Sequence, residues 1–259
     1  MTLASVGNFN ADMEIGTGSS NRGAIRFDAN ATVTGDITMR SHSSISTNNS
    51  ALNIGTISGN ITEAVAGSSL TLNSNTGAIG TIILSGDNSF TGGLILIQGT
   101  VRLGNTGALN STTSNLFTFG PTTVVAGTVD RTLQLNGNSV AVGGLTLGNA
   151  ANFANNFVEN ANALAATLTI KNRLNFTFSG IIRDGTGGGA LSLTKTGTGT
   201  QTLTGANTYT GTTTVAAGTL ALGFGTTANN VVNTTTNSSG LIMQGGTLRL
   251  DGGATVANS

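Results

Sequence analysis

Enzyme chemistry needs side chains that pass protons, attack carbonyls or hold metals, and this chain offers few of them. Its one histidine, His42, lies in MRSHSSIS beside Ser41, Ser43 and Ser44, with Asp36 a short way upstream. A hydrolytic triad uses these three residue types: a hydroxyl attacks, an imidazole takes its proton and a carboxylate orients the imidazole. Serine is common throughout the chain, however, and no strand–turn–helix elbow presents any of these serines. His42 therefore reads as a solvated surface imidazole. Polysaccharide-cleaving β-helix enzymes instead cluster carboxylates, often around calcium. Asp28 and Asp36 could meet on neighbouring turns of chain, but the ten acidic residues are scattered, and chance proximity is the reading. Gly185, Gly187 and Ala190 in DGTGGGALSL fit a loose G-x-G-x-x-A dinucleotide pattern, which requires a helix after the turn. LSLTKTG follows, a strand, so the glycines form a turn. The G-G-x-G-x-D spacing of calcium-binding nonapeptides is also missing. The sequence thus predicts no enzyme, no cofactor and no metal.

Composition narrows the partners. Of 259 residues, 8% are charged, ten basic against ten acidic, where a soluble domain has about 25%. Nucleic acid and anionic membranes need a concentrated positive field, so neither is expected. With 37% hydrophobic residues the chain can build a core, provided that the fold repeats a small one. Cysteine is absent, which removes disulfide, zinc-thiolate and thiol-nucleophile chemistry. The opening MTLASVGNFNADMEIG lacks a basic segment followed by an apolar one, so it is no signal peptide. Export and anchoring parts are expected outside these residues.

The elements that must carry any site are short strands. Glycine is abundant, at 39 residues, and helical periodicity is hard to find. The recurring unit is an apolar pair with one residue between: Ile37/Met39, Leu70/Leu72, Ile82/Leu84, Val101/Leu103, Leu133/Leu135, Leu145/Leu147, Leu168/Ile170, Leu191/Leu193, Leu220/Leu222 and Leu248/Leu250. Alternation at period two places each pair on one strand face, and the intervening residue, often Thr, Arg, Gln or Ser, points outward. Such strands bury too little to stand alone, because a buried Leu contributes roughly 1.5–3 kcal/mol against about 1–2 kcal/mol of backbone entropy per ordered residue. Stacked coils would solve this by covering one another. Asn-x-Thr triplets such as Asn30-Ala31-Thr32 and Asn60-Ile61-Thr62 follow from composition; their side chains suit turns and hydrogen-bonded ladders between coils.

An internal repeat supports stacking. LSGDNSFTGGLILIQGTVRLG at 84–104 aligns without gaps on LTGANTYTGTTTVAAGTLALG at 203–223, an offset of 119 residues. Gly86/Gly205 and Gly92/Gly211 supply turns, Phe90 and Tyr209 an aromatic, and Leu103/Leu222 core. The stretch Ser179–Gly223, with S-G-x-I, L-x-L-T-K-T-G-x-G-T and L-T-G-A-N-T-Y-T-G-T-T-T-V, closely resembles the passenger-associated transport repeat of bacterial type V secretion passengers, and 59–104 resembles it more loosely. The resemblance implies a right-handed parallel β-helix on a Gram-negative cell surface, with a C-terminal membrane β-barrel outside these residues. Two departures stand out. Gln201 occupies an apolar position of the repeat, which predicts a buried amide ladder or a local turn. LILIQ at 94–98 replaces TTTVA, so one of Ile95 and Ile97 or their neighbours must face outward or pack under a loop; Ile95 and Ile97 are the candidate interaction patch.

The expectation is an all-β chain, one right-handed parallel β-solenoid across residues 1–259 with roughly ten coils. It would act as a rigid passenger stalk or adhesin. A filament subunit stacking end to end is the alternative, and a carbohydrate-active enzyme the weakest. A host-cell or glycan receptor, other copies of the chain, or no partner at all would suit its uncharged Thr- and Asn-rich outside.

Overall fold

A computed structural model describes residues 24–48, 50–74, 79–110, 112–121, 129–149, 155–223 and 240–251 with their side chains, and the backbone of strands Thr2–Leu3, Asn8–Phe9 and Met13–Ile15. Its strands are two to five residues long, and all pairings among the described residues are parallel. The chain is an all-β parallel β-solenoid of about seven turns. The first face begins with a seven-stranded sheet, from Thr2–Leu3 to Gly144–Leu147, and the second face is an eight-stranded sheet, from Asn8–Phe9 to Ile181–Arg183. The third face is divided: three strands ending at Ile61–Glu63, then five strands starting at Val140–Val142. Turn length varies widely, from Thr81 paired with Thr100 to Gly99 paired with Arg131.

Apolar alternation builds this architecture. Leu70 and Leu72 are buried while Thr71 between them is partly exposed, and the pattern recurs through Ile82/Leu84, Val101/Leu103, Leu168/Ile170 and Leu191/Leu193. Each inward residue packs on its counterparts one coil before and after, so the core is a continuous column. Corners are close enough to demand glycine. A Cβ on Gly59 would strike the carbonyl oxygen of Gly35, and one on Gly86 would strike that of Gly59. Outward side chains form ladders along the stack. On the second face Arg102 donates to Gln134 (2.8 Å), Gln134 to Glu159 (2.7 Å), and Arg183 to the other Glu159 oxygen (2.7 Å) while lying 3.9 Å over the Phe157 ring.

One face is interrupted. The strand Gly144–Leu147 is the last of the seven-stranded sheet, and Phe176–Phe178 beside it starts a separate four-stranded sheet. The Phe176 ring lies where a Cβ of Gly144 would be, wedging the two strands apart. Leu145 thereby loses the neighbour that would satisfy its backbone. Gln201, one coil further on, reaches past Phe176: its Oε1 accepts the Leu145 N–H at 3.0 Å and its Nε2 donates to the Leu145 carbonyl at 3.0 Å. The buried amide expected at Gln201 is there, but it acts as a stand-in peptide group across a gap; the strand Thr200–Leu203 runs on without a turn. Phe178 spans the gap the other way, its ring 5.0 Å from that of Phe119.

Candidate functional site

The two repeat copies fold alike. Strands Thr81–Leu84, Leu94–Leu96 and Gly99–Leu103 in the first copy match Thr200–Leu203, Thr213–Val215 and Thr219–Gly223 in the second. In each copy the first strand pairs with the third, Thr81 with Thr100 and Thr200 with Thr219. The repeat is therefore one coil closing on itself. The copies sit on different faces: the closing strands of the first lie in the eight-stranded sheet, those of the second in the four-stranded sheet.

The stretch between the first two strands of each copy ends a sheet. In the first copy the Asn88 Oδ1 accepts the Ile61 N–H (2.8 Å) and the Ser89 N–H donates to the Ile61 carbonyl (2.9 Å). In the second the Asn207 Oδ1 accepts the Ile182 N–H (2.8 Å) and the Thr208 N–H donates to the Ile182 carbonyl (2.8 Å). Ile61 belongs to the last strand of the three-stranded sheet and Ile182 to the last of the eight-stranded sheet. A side-chain oxygen and one backbone N–H thus replace a neighbouring strand, so the N–H and C=O of Ile61 and of Ile182 stay paired at the sheet end. Phe90 and Tyr209, both buried, fill the core where an inward strand residue would sit. The copies differ there by a matched pair: the Tyr209 hydroxyl lies 2.7 Å from the Thr213 hydroxyl, whereas the first copy has Phe90 and Leu94 at these places. Tyr209→Phe should cost about 1–2 kcal/mol by stranding the buried Thr213 hydroxyl, and adding Thr213→Leu should recover part of it. Denaturant unfolding of the two single variants and the double gives the coupling, and additivity would refute the pairing.

A corner of each copy also carries a matched device. In the second copy the fully buried Lys195 ammonium donates to the carbonyls of Thr196 (2.5 Å), Gly197 (3.0 Å) and Ala217 (3.4 Å). In the first the Asn73 Nδ2 donates to the carbonyls of Gly80 (3.1 Å) and Gln98 (3.0 Å). Gln98 is the repeat equivalent of Ala217, and both groups stand against a glycine with positive φ, Gly99 or Gly218. A neutral amide and an ammonium fill the same place. Burial pulls the Lys195 amine down to about 8.

The residues singled out for chemistry do not converge. The exposed His42 ring accepts the Ser69 N–H through Nδ1 at 3.0 Å, with the Ser69 hydroxyl 2.9 Å away. Asp28 pairs with Arg26 at 2.6 Å, and Asp36 accepts the Asn60 N–H at 2.7 Å. Among the described residues no three His, Asp or Glu side chains gather as a metal site. Gly185 has φ +78° in a turn, and the strand Leu191–Lys195 follows. The triplet asparagines bridge coils, Asn30 accepting the Ile54 N–H and Asn60 the Asp87 N–H, both at 2.8 Å. Ile95 and Ile97 point outward and are half-buried, with Ile95 laddered between Thr71 and Thr118. Sequence reasoning missed Asn88, Asn207, Asn73 and Lys195. The Asn shared by both copies was the available signal for the first two.

No curated protein and no solved structure matches the chain. The family described as Passenger-associated-transport-repeat matches residues 76–103 and 193–222. These segments hold the two self-closing coils, so sequence family and fold agree on the unit: the chain carries two passenger-associated-transport-repeats.

Proposed function

We propose that the chain is part of an autotransporter passenger, a rigid stalk displayed on a bacterial surface, without catalytic activity of its own. The observation that carries this reading is the pair of transport repeats, each folded as one closed coil in a parallel stack. In this reading the stack is right-handed, continues past the interrupted face to roughly ten coils, and forms a single domain. Coils that stabilise mainly their neighbours can fold one after another from one end, and folding outside the membrane would draw the chain outward. The test is surface display ahead of an outer-membrane translocator barrel, read by protease accessibility on intact cells. Leu220→Asn with Leu222→Asn, which breaks the core of the second repeat, should lower display several-fold; display equal to wild type would overturn the secretion role.

End-to-end stacking of copies is a second reading. The strands Leu241–Met243 and Thr247–Asp251 leave Leu241, Ile242, Met243 and Leu250 exposed, and an apolar strand edge of this kind pairs with further strands. Sedimentation velocity across a concentration series separates the two, since a stalk keeps its mass and a filament grows. Ile95 and Ile97 remain the proposed patch for an apolar partner surface.

A further inference from the structure

We propose that a notch on the side of the solenoid binds acidic oligosaccharide. It arises from unequal corners on three successive coils. The middle coil turns from Val140–Val142 into Gly144–Leu147 through Gly143 alone, while the next coil takes a longer path from Ala166–Ile170 into Phe176–Phe178, through 171–175, and the coil before enters Leu116–Phe119 through 112–115. The short corner leaves a recess of about 540 Å³, with Thr112, Thr113, Ser114 and Leu116 on one side and Lys171, Arg173, Leu174 and Phe176 on the other. That volume lies within the range of about 300–1,000 Å³ usual for ligand sites.

Both walls are held in place. The Thr112 and Thr113 N–H groups donate to the Asn110 Oδ1 at 3.0 and 2.9 Å. Across the notch the Lys171 N–H donates to the Val142 carbonyl (2.8 Å), the Asn172 Nδ2 to the Leu174 carbonyl (2.7 Å), and the Thr200 N–H to the Asn175 Oδ1 (2.9 Å).

Charge selects the ligand. From Asn105 to Ile182 the charged residues are Asp130, Arg131, Glu159, Lys171 and Arg173. Of these, Lys171 and Arg173 line the notch, both on one wall, and no acidic residue is among its described lining residues. Neither side chain makes an ion pair among the described residues, and both are exposed. Thr112 and Thr113 stand exposed on the opposite wall. Leu174, 71% exposed, and Phe176 add apolar surface. A carboxylated or sulfated sugar chain offers anions for the cations, hydroxyls for the Ser/Thr wall and C–H faces for Leu174 and Phe176. Two cations are too few for a nucleic acid, whose binding rests on many phosphate contacts.

The test is calorimetric titration of the purified chain with galacturonate hexasaccharide and a sulfated hexasaccharide, against neutral maltohexaose and a ten-nucleotide single-stranded DNA. One or both acidic sugars should bind, and the neutral sugar and DNA should not. The preference between carboxylate and sulfate identifies the anion. Lys171→Gln and Arg173→Gln, both at exposed positions, should each weaken binding about fivefold with thermal unfolding unchanged, and Leu174→Ser should weaken it without altering its salt dependence. No binding at millimolar sugar, equal binding of maltohexaose or DNA, or full affinity in the doubly substituted chain would overturn the proposal.

Discussion

Replacing Gln201 with Leu, an apolar residue such as the repeat ordinarily has there, is expected to destabilise the protein by about 2–5 kcal/mol, although it exchanges a polar core residue for an apolar one. A buried amide without partners would favour the opposite sign. Here the amide satisfies both backbone groups of Leu145 at 3.0 Å, and it does so where the ladder has stopped. Leucine leaves that N–H and C=O dry and unpaired, at about 1–3 kcal/mol each. Hydrogen exchange gives the local readout: the Leu145 amide should lose protection in the variant while the amides of the unbroken second face keep theirs. Unchanged exchange at Leu145, or a variant as stable as wild type, would mean that the bridge contributes nothing.

Stability should also reach its maximum near pH 10, higher than for most proteins, because two buried groups titrate in opposite senses. Lys195 is lowered from 10.5 to about 8 by burial. Below pH 8 it is charged in both states and the folded state bears the desolvation cost. Between pH 8 and 10.5 the unfolded chain binds more protons than the folded one, so stability rises with pH, by about 2–3 kcal/mol at pH 10. Tyr209 is raised from 10.0 to about 12 by burial, which outweighs its hydrogen bond with Thr213. Between those values the folded state holds the proton more tightly, and stability falls as pH rises. The chain has no cysteine, one tyrosine and one other lysine, the exposed Lys171, so the background in this range is small. Urea unfolding from pH 7 to 11 should show the rise, and Lys195→Asn, which imitates Asn73 of the first copy, should abolish it. A rise that persists in this variant would assign it elsewhere.

The architecture was legible because its signal is local. A pair such as Leu70/Leu72 declares a strand and its inward face without knowledge of any neighbour, and nearly all such pairs are buried. Leu147 and Leu248, partly buried, and Leu250, exposed, depart from the pattern where a stack is interrupted or its last described coil lies open. The devices that join coils were not legible. Which carbonyl Lys195 faces, or that Gln201 meets Leu145, depends on turn length, and turns here range from the Thr81–Thr100 pairing to the Gly99–Arg131 pairing. Without a fixed period, no sequence offset identifies the residue overhead. Lys171 and Arg173 were visible as charges but not as a pair on one wall, since the short corner at Gly143 that makes the notch is a property of three coils together.

The break beside Gly144–Leu147 also bears on mechanics. At that level the second face is continuous from Asn156–Glu159 to Ile181–Arg183, and the third from Ala166–Ile170 to Leu191–Lys195. The first face lacks its ladder there, and the Gln201 amide and the Phe178 ring cross the opening. Two sides of the column are held there by backbone ladders and the remaining side by side chains alone, so the stalk is stiff but less so about one axis. Load applied sideways would not bend this column equally in every direction: it flexes by opening at Phe176, and a force from the opposite side meets strands already in contact.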